Sequence, residues 1–487
     1  MVREAPGPEI EGYNKEIQKG TKEQIVLIEG PEYKYWEIPE EIERTGEIAV
    51  SQDGSQLMLG KLKEGGEAVF VNFRKGSVFE RVKDLQWAQD SSDFVYIGKR
   101  YHIDEEVPSG GEIAEEGDLD DLEVLICNGE EVFQSKSLSF PAINPNGETF
   151  SCVKNQKGDK GDWSLWGGAL IINGKRRTSP ERSVTLMHRG IQYSLDGKKI
   201  AVDYSSRLDR EDERTRENMT AILDEENQYH IIPARDTRNS QFSPDSNDFY
   251  CTGIDFRTEI PTIYKNEEGI FEGDPDEQGY YSNLKVAPDS THCAYTHVIA
   301  RENAAESSRF QCMINGERRG EPVNDMGAFV WSRDSSKVAI ETKSWKGDTK
   351  DSKNIRESIR EYSVKSNDEH RGKEYDSVSL PTYSSDGKHL AYFASNDSTG
   401  FMLVFNDEEY PLYDNETMST KTDQVGNRPL DLRFEEETVQ GTAVSLEATF
   451  KIDGRIAVRT FMFSEAVDPV KREQLELEDG LFSLDSD

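Results

Sequence analysis

Short runs of alternating apolar and polar residues fill most of this chain, and a two-residue turn signal precedes each run. In Tyr193-Ser194-Leu195-Asp196-Gly197-Lys198-Lys199-Ile200-Ala201-Val202, an aromatic residue leads into Asp-Gly, and Ile200 and Val202 then mark one face of a strand. Alternation with a period of two predicts a half-buried strand. Asp hydrogen-bonds its own backbone and Gly accepts positive φ, so Asp-Gly predicts a tight turn. The same order appears at Asp53-Gly54, Asp90-Ser91, Asn146-Gly147, Asp245-Ser246, Asp289-Ser290, Asp334-Ser335 and Asp386-Gly387. Successive copies lie 37 to 56 residues apart. Pro244 and Pro288 stand at turn entries, where a fixed φ helps and no ladder donor is lost.

A second hairpin follows each of these turns. Leu125-Ile126-Cys127-Asn128-Gly129-Glu130, Leu170-Ile171-Ile172-Asn173-Gly174-Lys175 and Cys312-Met313-Ile314-Asn315-Gly316-Glu317 show it. Asn-Gly between extended runs is the strongest short-range hairpin signal. Two hairpins per unit make four strands, and four strands per ~40–50 residues make a β-propeller blade. The expected fold is therefore all-β, a single propeller of four-stranded blades.

These residues resemble the blade motif of the WD40-like, TolB-type propellers, written roughly FSPDGKKIAF. Phe242-Ser243-Pro244-Asp245-Ser246 and Tyr193 to Ala201 match it best, and the resemblance covers about residues 22–415. No Gly-His…Trp-Asp pairing of true WD40 repeats is present. The resemblance implies the fold and leaves function open, because one scaffold serves many unrelated tasks.

The hairpin-like Gln24-Ile25-Val26-Leu27-Ile28-Glu29-Gly30 precedes the first motif, and the degenerate Phe450-Lys451-Ile452-Asp453-Gly454-Arg455-Ile456-Ala457-Val458 follows the last. A ring leaves no open edge when its two ends share a blade, so strands near Ile25–Ile28 and Ala457–Phe461 are expected to share one. Eight blades are expected, with nine as the alternative count. Residues 22–463 then form the propeller, 1–21 an N-terminal tail and 464–487 an acidic C-terminal tail. A short helix is expected around Asn354–Arg360.

Composition narrows the partners. The chain has 487 residues, 94 acids and 58 bases, for a net charge of -36. That argues against nucleic acid, whose binding needs basic surface, and favours a basic protein partner. No apolar run is long enough to cross a membrane, and residues 1–9 do not read as a secretory leader. The five cysteines, Cys127, Cys152, Cys251, Cys293 and Cys312, are scattered within strand patterns and read as reduced core thiols. Together these features lead to an expected cytoplasmic location.

Catalytic motifs are missing. There is no Gly-x-Ser-x-Gly elbow, phosphate loop, His-Glu-x-x-His or Cys-x-x-Cys, and the seven histidines show no metal spacing. Residues 104–121 carry nine carboxylates in 18 positions. Asp118, Asp120 and Asp121 are the candidate Ca²⁺ ligands there, because clustered oxygens suit that ion. A solvated acidic insertion is the plainer reading, and no cofactor is expected.

Four long connections fall between the second and third strands of their blades by this register. They carry the acidic insertion, Trp163 with Trp166, the stretch Ser205 to Arg214, and Trp345. The three tryptophans are the candidate partner-binding residues, since aromatics dominate binding hot spots. The expected function is a non-enzymatic scaffold that docks a protein partner on that face. The alternatives are a lactonase-like hydrolase with a metal in the central channel, and a small-molecule or glycan sensor.

Overall fold

The computed structural model describes residues 25–27, 33–37, 39–50, 55–72, 74–88, 93–100, 122–156, 167–177, 190–207, 216–226, 228–275, 279–300, 308–345, 355–364, 369–371, 373–396, 400–411, 428–434, 443–452 and 455–465. Every regular element among them is a strand, and every recorded strand pairing is antiparallel. The fold is all-β, built from the four-stranded antiparallel sheets of propeller blades.

The chain divides into two compact units, Pro39–Val378 and Met1–Ile38 with Ser379–Asp487. The larger unit holds seven four-stranded sheets, each laid down in chain order. The first comprises Ile42–Val50, Gln56–Leu62, Glu67–Val71 and Arg74–Phe79, and the seventh Asp325–Trp331, Lys337–Trp345, Ile355–Ser363 and Glu369–Arg371. The eighth sheet starts at the boundary with Ser377–Tyr383 and continues through Leu390–Asn396, Gly400–Phe405 and Glu408–Pro411. The ninth combines Arg428–Phe434, Ala443–Ile452 and Arg455–Glu465 with two N-terminal strands, Ile25–Leu27 and Tyr33–Glu37. Nine sheets thus stand among the described residues, beside an expectation of eight blades with nine as the alternative.

The six motif copies among the described residues join the first strand of a sheet to its second; Asp53-Gly54 and Asp90-Ser91 lie outside the described residues. Gly147, Gly197 and Gly387 have φ of 72°, 72° and 70°, as the Asp-Gly reading requires. Where serine replaces glycine it adopts the same conformation, with φ of 63° at Ser246, 59° at Ser290 and 58° at Ser335. A residue with a Cβ is strained there, and hydrogen bonding explains why serine is kept. The amides of Asp196, Asp245 and Asp289 donate to the hydroxyls of Ser246, Ser290 and Ser335, each in the next sheet, at 2.9, 3.2 and 2.9 Å. Four of the turns also have an internal clasp. Ser194, Ser243, Ser332 and Ser384 donate to Asp196, Asp245, Asp334 and Asp386 at 2.6 Å.

The second hairpins are closed by asparagine. Asn128-Gly129, Asn173-Gly174 and Asn315-Gly316 all have positive φ at both positions, the type I′ geometry. The side chain does a second job. Asn128, Asn173, Asn266 and Asn315 each accept, through Oδ1, the amide that starts the second strand of their own sheet, at 2.9 Å.

The core lies between successive sheets. Leu57, Val69 and Phe79 of the first meet Val82, Phe94, Tyr96 and Ile126 of the second. Phe242, Phe249 and Cys251 of the fifth meet Ala201 and Ile222 of the fourth. Within the smaller unit, Phe405 stacks on Phe463 with ring centroids 4.1 Å apart. Burial of each such side chain contributes roughly 1.5–3 kcal/mol. All five cysteines are buried free thiols, and burial pushes those of Cys127 and Cys152 up to about 12.

Three details correct the sequence reading. Ile355–Ser363 is a strand, where a helix around Asn354–Arg360 is expected; Asn354 itself lies outside the described residues. The strand pairs with Lys337–Trp345 along its whole length and buries Ile359 and Tyr362, so sheet pairing overrides a composition that also suits a helix. The N-terminal segment shares the C-terminal sheet as expected, but not as a hairpin around residues 24–30: Ile25–Leu27 lies against Phe463–Glu465, and Tyr33–Glu37 against Arg455–Arg459, both on the same C-terminal strand. Positions 453 and 454, themselves outside the described residues, therefore separate the two middle strands of the ninth sheet, unlike the six described motif turns. The N-terminus supplies the outer pairing, so the C-terminal chain needs only three strands. Residues 1–21, and the tail beyond 465, lie outside the described residues.

Candidate functional site

Strand direction sorts the connections of each sheet onto two ends. Antiparallel order puts the turn between strands one and two at the same end as the turn between three and four. The connection between strands two and three falls at the other end. The tight hairpins occupy the first end. The connections 100–122, 157–166, 208–215 and 346–354 all follow second strands, as the sequence register predicts.

Trp345 is the last residue of its second strand and pairs with Ile355 at the start of the third, so it stands at the connection end. Trp163 and Trp166 lie outside the described residues, as do Asp118, Asp120 and Asp121. Among the described residues, no group of three or more His, Cys, Asp or Glu side chains is placed to hold a metal ion.

Beside Trp345 the described residues build a partly buried, acid-rich corner. Asp325 and Glu357 flank Lys343 across the sheet as its register partners on the first and third strands. Lys343 Nζ is 3.2 Å from Glu357 and 3.9 Å from Glu341, two residues back on the same face. Burial, and then the neighbouring Glu357, push the Glu341 carboxyl above the ordinary carboxylate range. Burial works against the charge on Lys343, but Glu357, joined by Glu341 and Asp325, holds the ammonium above its usual value. Three carboxylates surround one ammonium, so the corner has negative charge to spare.

Glu357 also grips the neighbouring strand, because Oε2 accepts the Val378 amide at 2.9 Å. The device recurs at the same end of other sheets. Glu67 accepts the Val82 amide at 2.7 Å, and Glu123 the Leu138 amide at 2.6 Å. Lys83 completes the second clamp, 2.7 Å from Glu123 and donating to the Leu138 carbonyl at 2.8 Å. These glutamates tie each third strand to the next first strand and fix the rim that carries the long connections. Sequence reasoning missed them. The available signal was a Glu opening the third strand, with its partner amide 15 residues later at both Glu67 and Glu123.

A polar network joins the fourth and fifth sheets. Thr220 Oγ1 is 2.6 Å from Asp203 and 2.9 Å from the Thr237 hydroxyl, and Ser240 donates to the other Asp203 oxygen at 2.9 Å. Thr220 and Thr237 are buried. Hydrogen-bonded polar groups at such depth fix the packing of one sheet on the next.

No family model matches the chain, and no curated relative matches it. Solved structures do resemble it. A eukaryotic initiation factor shares 9% identity over 77% of this chain and 91% of its own, with a TM-score of 0.44. The β-propeller domain of the Trilobed protease from Pyrococcus furiosus shares 15% over 68% and 97%, with a TM-score of 0.33. TolB from Acinetobacter baumannii shares 13% over 52% and 60%, with a TM-score of 0.26. At this distance none of their activities transfers to this chain.

Proposed function

We propose that this β-propeller is a non-enzymatic scaffold that docks a basic protein partner on the end carrying the connections between second and third strands. One observation carries the reading. The strand order directs the four long connections 100–122, 157–166, 208–215 and 346–354 to the second-to-third-strand end of their own sheets. Among the described residues, the opposite end of those sheets has only tight turns.

Charge chemistry supports a basic partner. The chain carries -36 overall, and the corner of Asp325, Glu341 and Glu357 around Lys343 has carboxylates in excess beside Trp345. A cationic side chain arriving there gains charge-assisted hydrogen bonds. Trp163, Trp166 and Trp345 are the proposed anchors. The glutamate clamps hold the rim rigid, which lowers the ordering cost of binding.

The test is a comparison of full-length chain with the Trp163→Ala, Trp166→Ala, Trp345→Ala triple variant. Binding of a captured partner is followed at low and high salt. The reading expects a salt-sensitive complex that the triple variant weakens, with its thermal unfolding close to that of the parent. Salt-independent capture, or full binding by the folded variant, argues against it.

A further inference from the structure

His230 lies in the fourth strand of the fourth sheet, Tyr229–Ile231, and touches a carboxylate with each ring nitrogen. Nε2 is 3.0 Å from Asp224 Oδ2, and Nδ1 is 2.9 Å from Glu267 Oε1. Asp224 opens the turn between the third and fourth strands of the same sheet. Glu267 follows Asn266 in the corresponding turn of the next sheet. One imidazole therefore spans two blades at their hairpin end.

The proton count makes this contact conditional. An imidazolium has two N–H donors and satisfies both carboxylates. A neutral ring has one donor, so its second nitrogen turns a lone pair toward the remaining carboxylate. We infer that His230 is a proton-operated latch between the fourth and fifth sheets, closed when the ring is charged and released when it is neutral.

The surroundings favour the closed form. Hydrogen bonds to Asp224 and then Glu267 raise the His230 pKa above its ordinary value, against a small opposing effect of burial. The Gln228 amide, and then His230, hold the Asp224 carboxyl below the usual range. Asp224 thus couples ring to loop, since its Oδ1 accepts the Gln228 amide at 2.8 Å while Oδ2 meets His230. Of the other charges nearby, Glu226 and Glu268 are exposed acids at the same two turns, and two more acids are paired. Glu225 meets Lys198 at 3.2 Å, and Lys265 meets Asp248 at 2.8 Å. Tyr229 is held neutral by burial, which outweighs the effect of Arg177. The link has the sign of a raised histidine. The stabilisation is fully present below the unfolded-state pKa and is lost as pH rises through the folded one.

The experiment uses the full chain with labelled histidine, followed by NMR titration. Hydrogen exchange of peptides covering 224–230 and 265–272 is measured across the same pH range at labelling times matched for intrinsic exchange. His230→Gln identifies the resonance. The latch requires a titration midpoint above the ordinary histidine value and a several-fold rise in exchange in both peptides through that midpoint. Glu267→Gln, at an exposed position, should lower the midpoint and abolish the rise in 265–272. A midpoint at the ordinary value overturns the proposal. So does exchange that stays flat through the midpoint, or a Glu267→Gln variant that behaves as the parent.

Discussion

The amide of Asp196 donates to the hydroxyl of Ser246, 2.9 Å away and one sheet further along the chain. Ser246 is buried and sits at φ 63°, a conformation that favours glycine. Strain and bond oppose each other here, and two variants separate them. Ser246→Ala keeps the strain and leaves a donor unmade, so it should cost about 1–3 kcal/mol. Ser246→Gly loses the same bond and relieves the backbone, so it should cost less by roughly 1 kcal/mol. Denaturant unfolding of both variants reads the difference, and an equal cost would show that backbone strain contributes nothing at this turn.

Gly197 is the glycine version of the same position, with φ 72°. A Cβ there would stand 3.1 Å from Asn144 Nδ2. Gly197→Val should destabilise by roughly 1–3 kcal/mol, because a β-branched residue resists positive φ. Gly129 has φ 85° with nothing within 4 Å of a Cβ, so Gly129→Ala isolates the conformational part. Its cost should fall near 1 kcal/mol, below that of Gly197→Val. Thermal unfolding of the pair checks the order.

Acid should loosen the motif turns. The hydroxyl of Ser243, helped by Asn247, holds the Asp245 carboxyl at about 2, against an ordinary 3.8. The Ser332 hydroxyl likewise lowers Asp334. A carboxyl with a depressed folded pKa contributes stability above its unfolded value and loses it as pH falls through the folded one. The decline therefore belongs between about pH 4 and pH 2. Asp245→Asn should be less stable than the parent at neutral pH and show a shallower decline over that window. Parallel pH profiles for the two proteins would rule the turn carboxyl out as a contributor.

Glu123 ties the Leu138 amide and Lys83 together. Its side chain is only 14% exposed, so Glu123→Ala leaves a buried donor and a partly buried ammonium without it. The cost should be about 2–4 kcal/mol, well above that of an exposed ion pair. Lys61→Ala, whose pairing with Glu43 at 3.8 Å is exposed on both sides, provides the comparison and should cost less than ~1 kcal/mol. Urea midpoints of the two variants should separate clearly.

Removal of residues 1–40 strips the outer pairing from Arg455–Glu465, which meets both Ile25–Leu27 and Tyr33–Glu37. An open edge and weakened support for the Phe405–Phe463 stack should lower the melting temperature sharply. An unchanged melting curve would mean that the N-terminal strands are a dispensable appendage.

What the sequence disclosed was local. Asp196-Gly197 and Asn173-Gly174 are legible because positive φ restricts residue choice at the turn itself, whatever surrounds it. Trp345 was placed at the correct end because strand direction follows from counting hairpins. Contacts between sheets left little trace. Nothing local marks Glu357 as the partner of Val378, or Ser246 as the acceptor for Asp196, since each bond spans two sheets. Ile355–Ser363 misled for the same reason, as its strand state comes from pairing with Lys337–Trp345. The register of Tyr33–Glu37 on Arg455–Arg459 joins the two ends of the chain, and no local pattern fixes it.

Docking on the connection end is tested most directly by cross-linking mass spectrometry of the full chain bound to its captured partner. Cross-links should concentrate in 100–122, 157–166, 208–215 and 346–354, and the triple tryptophan variant should lose most of them while remaining folded. Loss of binding should amount to about 2–4 kcal/mol. Cross-links concentrated instead on the hairpin end, around Lys198 and Lys388, with undiminished binding by the folded triple variant, would contradict the account.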